Sequence, residues 1–175
     1  MQKILIIGSG GAGKSTLARR LGVVTGIEVH HLDRVYWRPG LVKPPRDEWM
    51  ASLQALLSKA AWILDGNYSG TLKERLLACD TVVFLDMPKS QCFWRVLVRA
   101  FKYRNKTRPD MAEGCSERLS FAFLSWVWNY PTRKRPAVLG LLEKHEAGRR
   151  IYILRSDREV EGFLTNEAAA VARAA

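Results

Sequence analysis

The segment Gly8-Ser9-Gly10-Gly11-Ala12-Gly13-Lys14-Ser15 brings four glycines, an ammonium and a hydroxyl into one short stretch of chain. Glycine lets successive backbone N–H groups turn inward and approach an anion with no Cβ in the way. The apolar run Lys3–Ile7 leads into this loop. Leu17, Ala18 and Leu21, at helical spacing, lead out of it. A helix starting near Lys14 points its positive dipole end at whatever the loop holds. Chemistry of this kind suits the phosphates of ATP or a close relative. Gly10, Gly11, Ala12, Gly13, Lys14, Ser15 and Thr16 form the cradle, with Lys14 reaching the β- and γ-phosphates and Ser15 offering its hydroxyl to Mg²⁺.

Phosphoryl transfer also needs carboxylates, one to hold Mg²⁺ or its waters and one to take a proton from a hydroxyl acceptor. Asp33, Asp65 and Asp86 each follow an apolar strand, and in α/β sheets ligands bind beyond the carboxyl ends of strands. Asp65 is assigned to the metal and Asp33 to the acceptor, although a helix cap or turn role is open to each. Asp86 ends a Walker-B-like VVFLD run, but Met87-Pro88 gives it the role of launching the next helix. On that helix Arg95 and Arg99 are four apart, on the face opposite Phe93, Leu97 and Phe101, and Lys102 and Lys106 extend the stripe. Arg99 and one further arginine, Arg133 or Arg135, are expected to neutralise charge during transfer.

Strand-like and helix-like segments alternate along the chain. Strands are expected at Lys3–Ile7, Glu28–His31, Ala61–Leu64, Thr81–Leu85 and Arg150–Leu154. Helices are expected at Asp47–Lys59, Ser69–Ala78, after Pro88 with Phe93, Val96-Leu97 and Ala100-Phe101 inward, at Ser116–Tyr130 and at Ala137–His145. A last one starts at Asp157 and fades into an Ala-rich tail. Pro131 and Pro136 are expected to interrupt the helical stretch. The alternation implies a single α/β domain over 1–175, a parallel sheet with helices on both faces, and a helical lid insertion at about 104–136.

Composition narrows the function classes. No run approaches the ~20 apolar residues needed to span a bilayer. Three cysteines, Cys79, Cys92 and Cys115, carry no C-x-x-C spacing, so reduced thiols and a cytoplasmic setting are expected. Net charge is +11, and Lys89–Arg135 holds 11 basic and 3 acidic residues, so +8 of that excess lies there. Such a segment serves either nucleotide phosphates or a nucleic-acid backbone. Trp37, Trp49, Phe121, Phe123, Trp126, Trp128 and Tyr130 are candidates for the wall of an acceptor pocket, or for core.

The glycine-rich loop, Asp65-Gly66-Asn67-Tyr68, Leu85-Asp86-Met87-Pro88 and the Arg95/Arg99 pair resemble the adenylate-kinase-like P-loop kinases. Over nearly the whole chain, including Lys106-Thr107-Arg108-Pro109-Asp110 and Trp126-Val127-Trp128-Asn129-Tyr130-Pro131, the sequence most resembles the bacterial DNA topology modulation proteins. The resemblance implies a P-loop, nucleotide-kinase-like three-layer sandwich with strand order 2-3-1-4-5. It also implies that Asp65 assists Mg²⁺, Arg95 packs on adenine and Arg99 contacts phosphate. The segment His31–Trp37 departs from an adenylate kinase and is closer in style to small-molecule kinases. Mg-ATP binding with phosphoryl transfer to a small acceptor is the expected function. The alternatives are a nucleotide-regulated DNA-binding protein and a nucleotide-binding regulator without turnover.

Overall fold

The computed structural model describes residues 1–104, 108–112, 114–115 and 120–174. Lys106 and residues 116–119 of the expected fifth helix lie outside the described residues. Five parallel strands form one sheet in the order β2-β3-β1-β4-β5. They are β1 (Lys3–Gly8), β2 (Val29–His31), β3 (Trp62–Asp65), β4 (Thr81–Leu85) and β5 (Arg150–Leu154). Parallel strands require crossovers, and helices supply them: α1 (Lys14–Thr25), α2 (Leu32–Tyr36), α3 (Arg46–Leu57), α4 (Leu72–Ala78), α5 (Lys89–Lys102), α6 (Phe121–Arg133) and α7 (Arg135–Lys144), with α8 (Asp157–Ala174) following the last strand.

The central strand is buried on both faces, which is why KILII is apolar throughout rather than alternating. Ile4 and Ile6 face a core built with Leu17 and Leu21 of α1, Val96 of α5 and Phe163 and Leu164 of α8. Leu5 and Ile7 face the opposite core with Trp49 and Leu53 of α3, Leu76 of α4 and Leu142 of α7. Register then places chemistry at one level. Ile6 lies opposite Asp65, and Asp65 opposite His31, so the carboxyl ends of β1, β2 and β3 converge beside the glycine-rich loop.

Several expected elements are corrected. Asp33 sits in the first turn of the short helix α2, since the chain turns helical directly after His31. Asp65 belongs to β3 itself and is buried. Phe101 was placed inward but is 83% exposed, because α5 turns Cys92 and Val96 to the core. Pro131 does not stop α6. The helix runs through it to Arg133, held by Val127 and Tyr130 in the core, and Pro136 stands at the start of α7, where no N–H partner is lost. Rather than fading, α8 continues to Ala174, as a run of strong helix-forming alanines favours. Among the described residues no helix is long and apolar enough to cross a membrane.

Candidate active site

The glycine-rich loop is shaped by its surroundings. At Gly11 φ is +78°, and a Cβ there would fall 2.2 Å from the Cys92 carbonyl oxygen of α5. A Cβ at Gly10 would meet the Phe123 ring of α6 at 2.8 Å. The loop is therefore packed from two sides, and only glycine fits at these points. Gly13, in the left-handed region, precedes α1, whose N-terminus has neither a side-chain cap nor an acidic residue in its first turn. Those unclaimed N–H groups favour an anion. Lys14 bends back so that its Nζ donates to the Ser9 carbonyl at 2.9 Å. Burial pushes its ammonium below the ordinary lysine value, Asp65 and Asp33 act against that, and Arg99 adds to it.

The Ser15 hydroxyl lies 2.7 Å from Asp65 Oδ2 and 2.9 Å from Asp110 Oδ2. One hydroxyl proton serves only one carboxylate at a time, so three oxygens converge with a deficit of positive charge. An all-oxygen set of this size suits Mg²⁺, which takes one or two carboxylates and completes its shell with phosphates and water. Among the described residues no group of three or more His, Cys, Asp or Glu side chains could hold a metal unaided, so such an ion depends on nucleotide phosphates. Ser15, Asp65 and Asp110 are the residues that fit it. His31 Nδ1 bonds to the other oxygen of Asp65. Burial opposes charge on that imidazole, but Asp65, through its hydrogen bond and its charge, outweighs burial and raises the pKa.

Burial likewise opposes charge on Asp110, yet Arg108 and Ser15 prevail and hold its carboxyl below the ordinary value. Arg108 lies 3.5 Å from Asp110 and 3.9 Å from Asp33. Neither Arg108 nor Asp110 had a role in the sequence reading beyond a motif resemblance. Asp33 accepts a 2.8 Å hydrogen bond from the Tyr68 hydroxyl. Its pKa is raised by burial, against the Tyr68 hydrogen bond, Lys14 and Arg108. The side chain keeps 42% of its surface open, so the crowding comes from cavity walls and the carboxylate stays open to the cavity it lines.

Tyr68 is fixed by the Tyr36 ring at 4.6 Å and the Trp49 ring at 5.5 Å. The loop carrying it is tied down by Arg75, a fully buried guanidinium that donates to the carbonyls of Gly66 at 2.9 Å, Tyr68 at 2.6 Å and Thr71 at 3.2 Å. Burial lowers its pKa to about 10. The sequence signal was a basic residue on the Leu72/Leu76 stripe, three and one positions away from apolar neighbours. Arg75→Met should leave three buried carbonyls short of a donor and cost about 2–4 kcal/mol, with relief of charge burial offsetting part of the loss. Calorimetric unfolding should register a fall of roughly 5–15 °C in Tm; an unchanged Tm would show that water satisfies this loop without Arg75.

Two cavities meet at these groups. One, of about 530 Å³, runs from Gly11–Thr16 past Arg95, Lys102 and Tyr103 to Asp157 and Glu161. The other, of about 800 Å³, lies beyond Asp33 and Asp65 and is walled by Trp37, Tyr68, Phe123, Trp126 and Tyr130. Lys14, Ser15, Arg99, Arg108 and Asp110 line both. Arg99 holds its guanidinium 5.9 Å from the Phe123 ring at this junction. Arg95 stands in the first cavity, its guanidinium forked onto Asp157 at 2.7 and 2.8 Å. Arg135 is not brought to the junction. It is spent on Asp86 by a fork of 2.7 and 2.9 Å, which makes Asp86 a structural carboxylate. Arg133 lines neither cavity. Of the aromatic candidates, Trp49 is core, Phe121 is 93% exposed and Trp128 packs on Phe93.

No protein-family model matches the chain, and no curated protein matches it. Solved structures do. Shikimate kinase from Acinetobacter baumannii in complex with shikimate is similar with a TM-score of 0.64 at 18% identity, over 99% of this chain and 94% of that one. Together with strand order β2-β3-β1-β4-β5 around a glycine-rich loop, that similarity decides the fold. The chain has the P-loop kinase fold. A gluconokinase from Sinorhizobium meliloti shares it with a TM-score of 0.52 at 17% identity, over 99% of this chain and 93% of that one. A kinase described as putative, from Chloroflexus aurantiacus, does so with a TM-score of 0.53 at 15% identity, over 94% and 96%. In the P-loop kinase fold the junction of the two cavities falls at the carboxyl ends of the central strands, where the fold's topology places ligands.

Proposed function

We propose that the protein is an ATP-dependent phosphotransferase acting on a small hydroxyl acceptor. The observation that carries this is the pair of cavities sharing Lys14, Ser15, Arg99, Arg108 and Asp110. A nucleotide in the first cavity lays its triphosphate along Gly10–Thr16, with Arg95 beside the base and Arg99 and Lys14 at the terminal phosphate. Ser15 and Asp65, with Asp110 beside them, would hold Mg²⁺, which would supply charge neutralisation to the transferring phosphate. An acceptor in the second cavity presents its hydroxyl near Asp33. As its oxygen bonds to the γ-phosphorus, the bridging bond to the β-phosphate breaks, ADP leaves and the hydroxyl proton passes to the Asp33 carboxylate. Tyr68 and Arg108 hold that carboxylate in place, and Tyr68, buried and beside Asp33, has its pKa raised and remains a phenol donor.

The likeness to DNA topology modulation proteins belongs to this reading as kinship of sequence, without DNA as the ligand. A nucleic-acid face needs cations free to meet phosphates. In the basic segment three of the arginines are engaged inside the protein, Arg95 with Asp157, Arg135 with Asp86 and Arg108 between Asp33 and Asp110, while Arg99, Lys102 and Lys134 line the two cavities. An ATP-consumption screen over hydroxyl metabolites, run beside DNA titrations at several salt concentrations, separates the two. Acceptor-dependent ADP formation with weak, ATP-indifferent DNA binding is expected. Tight DNA binding that responds to Mg-ATP, with a log–log salt slope near −4 for four or five neutralised phosphates and no acceptor turnover, would replace the kinase reading.

A further inference from the structure

The second cavity is polar in an uneven way. Its acidic residues, Asp33, Asp65 and Asp110, are tied to the phosphate end through Lys14, Ser15 and Arg108. Phe123 marks the same end, against Gly10 and Arg99. From there α6 carries Trp126 and Tyr130 at helical intervals of three and four residues along one face, and Lys134, which caps the helix C-terminus, lines the same cavity. At ~1.5 Å per residue, Lys134 lies roughly 16 Å down the helix from Phe123. Lys43 lines the same cavity from the loop after the Pro39–Leu41 turn. Among the described residues neither Lys43 nor Lys134 has an acidic partner within 4 Å. Between the two ends Tyr130 is buried, with its hydroxyl beside the Asn67 side chain that lines the same cavity. Burial raises the Tyr130 pKa to about 12, so it remains a donor at neutral pH.

A cavity with a carboxylate base at the phosphate end, aromatic walls, and two lysines in its lining that have no acidic partner among the described residues is complementary to one kind of molecule. We propose that the acceptor is an anionic alcohol with a flat ring as its body. Its hydroxyl meets Asp33, its ring lies against Trp126 and Tyr130, and its carboxylate or phosphate monoester is held by Lys43 and Lys134. This rests on the phosphotransferase reading and names the substrate class for the same site. Lys43 and Lys134 are then specificity residues with no part in nucleotide binding.

The test is calorimetry on protein saturated with Mg²⁺ and the β,γ-imido analogue of ATP, titrated with 4-(hydroxymethyl)benzoate, 4-(hydroxymethyl)phenyl phosphate and the neutral 1,4-benzenedimethanol. At least one anion should bind about tenfold or more tightly than the neutral diol, the size expected of a charge-assisted contact. Whichever anion leads distinguishes a carboxylate from a phosphate source. In the Lys43→Ala/Lys134→Ala double variant the preference should shrink to about twofold or less, with affinity for the ATP analogue unchanged. Equal affinities in the wild type, no binding of either anion, or a preference that survives the double substitution would overturn the proposal. Failure of the wild type to bind the ATP analogue would instead sink the phosphotransferase reading on which it rests.

Discussion

Asp33→Asn should abolish phosphoryl transfer while leaving Mg-ATP bound about as tightly as before. The amide keeps the size of the side chain and still accepts the Tyr68 hydrogen bond, which in the native protein measures 2.8 Å. What it loses is the capacity to take a proton from the acceptor hydroxyl. General-base catalysis contributes on the order of 10²–10⁴-fold, and that is the expected fall in kcat. Asp33 lines the second cavity and not the first, so it should make no contact with the nucleotide, and the loss of its charge near Lys14 should shift nucleotide affinity little. The pH profile adds a second readout. Transfer needs the ionised carboxylate, and burial raises its pKa. The rate of the wild type should therefore rise with pH along an acidic limb placed above the ordinary aspartate range, and that limb should vanish in the variant. Stability moves the other way. An acid whose folded pKa exceeds its unfolded value makes folding less favourable as pH rises through that interval. At neutral pH Asp33→Asn should thus hold or raise Tm. A variant that transfers phosphate at the wild-type rate would remove Asp33 from the mechanism.

Lys14→Ala should weaken Mg-ATP binding at least about tenfold, since a charge-assisted contact to phosphate contributes roughly 1.5–3 kcal/mol. Its ammonium donates to the Ser9 carbonyl at 2.9 Å, a bond the phosphates would replace without rebuilding the loop. Burial already lowers the Lys14 pKa, so the cation is held there at a cost that a polyanionic ligand offsets. Removing that cation should leave the fold intact, and thermal unfolding checks this independently. Because Lys14 lines both cavities, transfer at saturating nucleotide should fall further, by about 10²–10³-fold, as charge developing at the γ-phosphate loses a preorganised partner. Calorimetry measures the first loss and steady-state kinetics the second. Nucleotide affinity equal to that of the wild type would mean that the loop is not the phosphate site.

Which residues the sequence revealed follows from how local their signals are. The loop from Gly8 to Ser15 is one continuous pattern between an apolar strand and a helix, so its place between β1 and α1 was legible locally, while the strand order came with the resemblance to P-loop kinases. Asp33 and Asp65 were legible because each ends an apolar run, although the start of α2 at Leu32 was not. Asp110 was beyond such reading. It meets Ser15 across 95 residues of sequence, and a polar stretch offers no periodicity to say which side chain turns inward. Arg108 entered with it. Arg75 was masked by its own helix, where a charge on the apolar stripe is ordinarily solvated. Phe101 was misplaced because α5 has apolar residues all round, Trp94 and Val98 included, so spacing alone chose no single face. Arg135 was legible as a cation near the site but not as the partner of Asp86, since the fork joins residues 49 apart.

The measurement that bears most directly on the junction of the two cavities is a crystal structure of the protein with Mg²⁺ and the β,γ-imido analogue of ATP. The account predicts the base beside Arg95, the triphosphate along Gly10–Thr16, the metal on Ser15 with Asp65 or Asp110 in its shell, and the γ-phosphate between Lys14 and Arg99. That γ-phosphate should face Asp33 across open space in the aromatic-walled cavity. Triphosphate bound anywhere else, or a γ-phosphate turned away from that cavity, would contradict it.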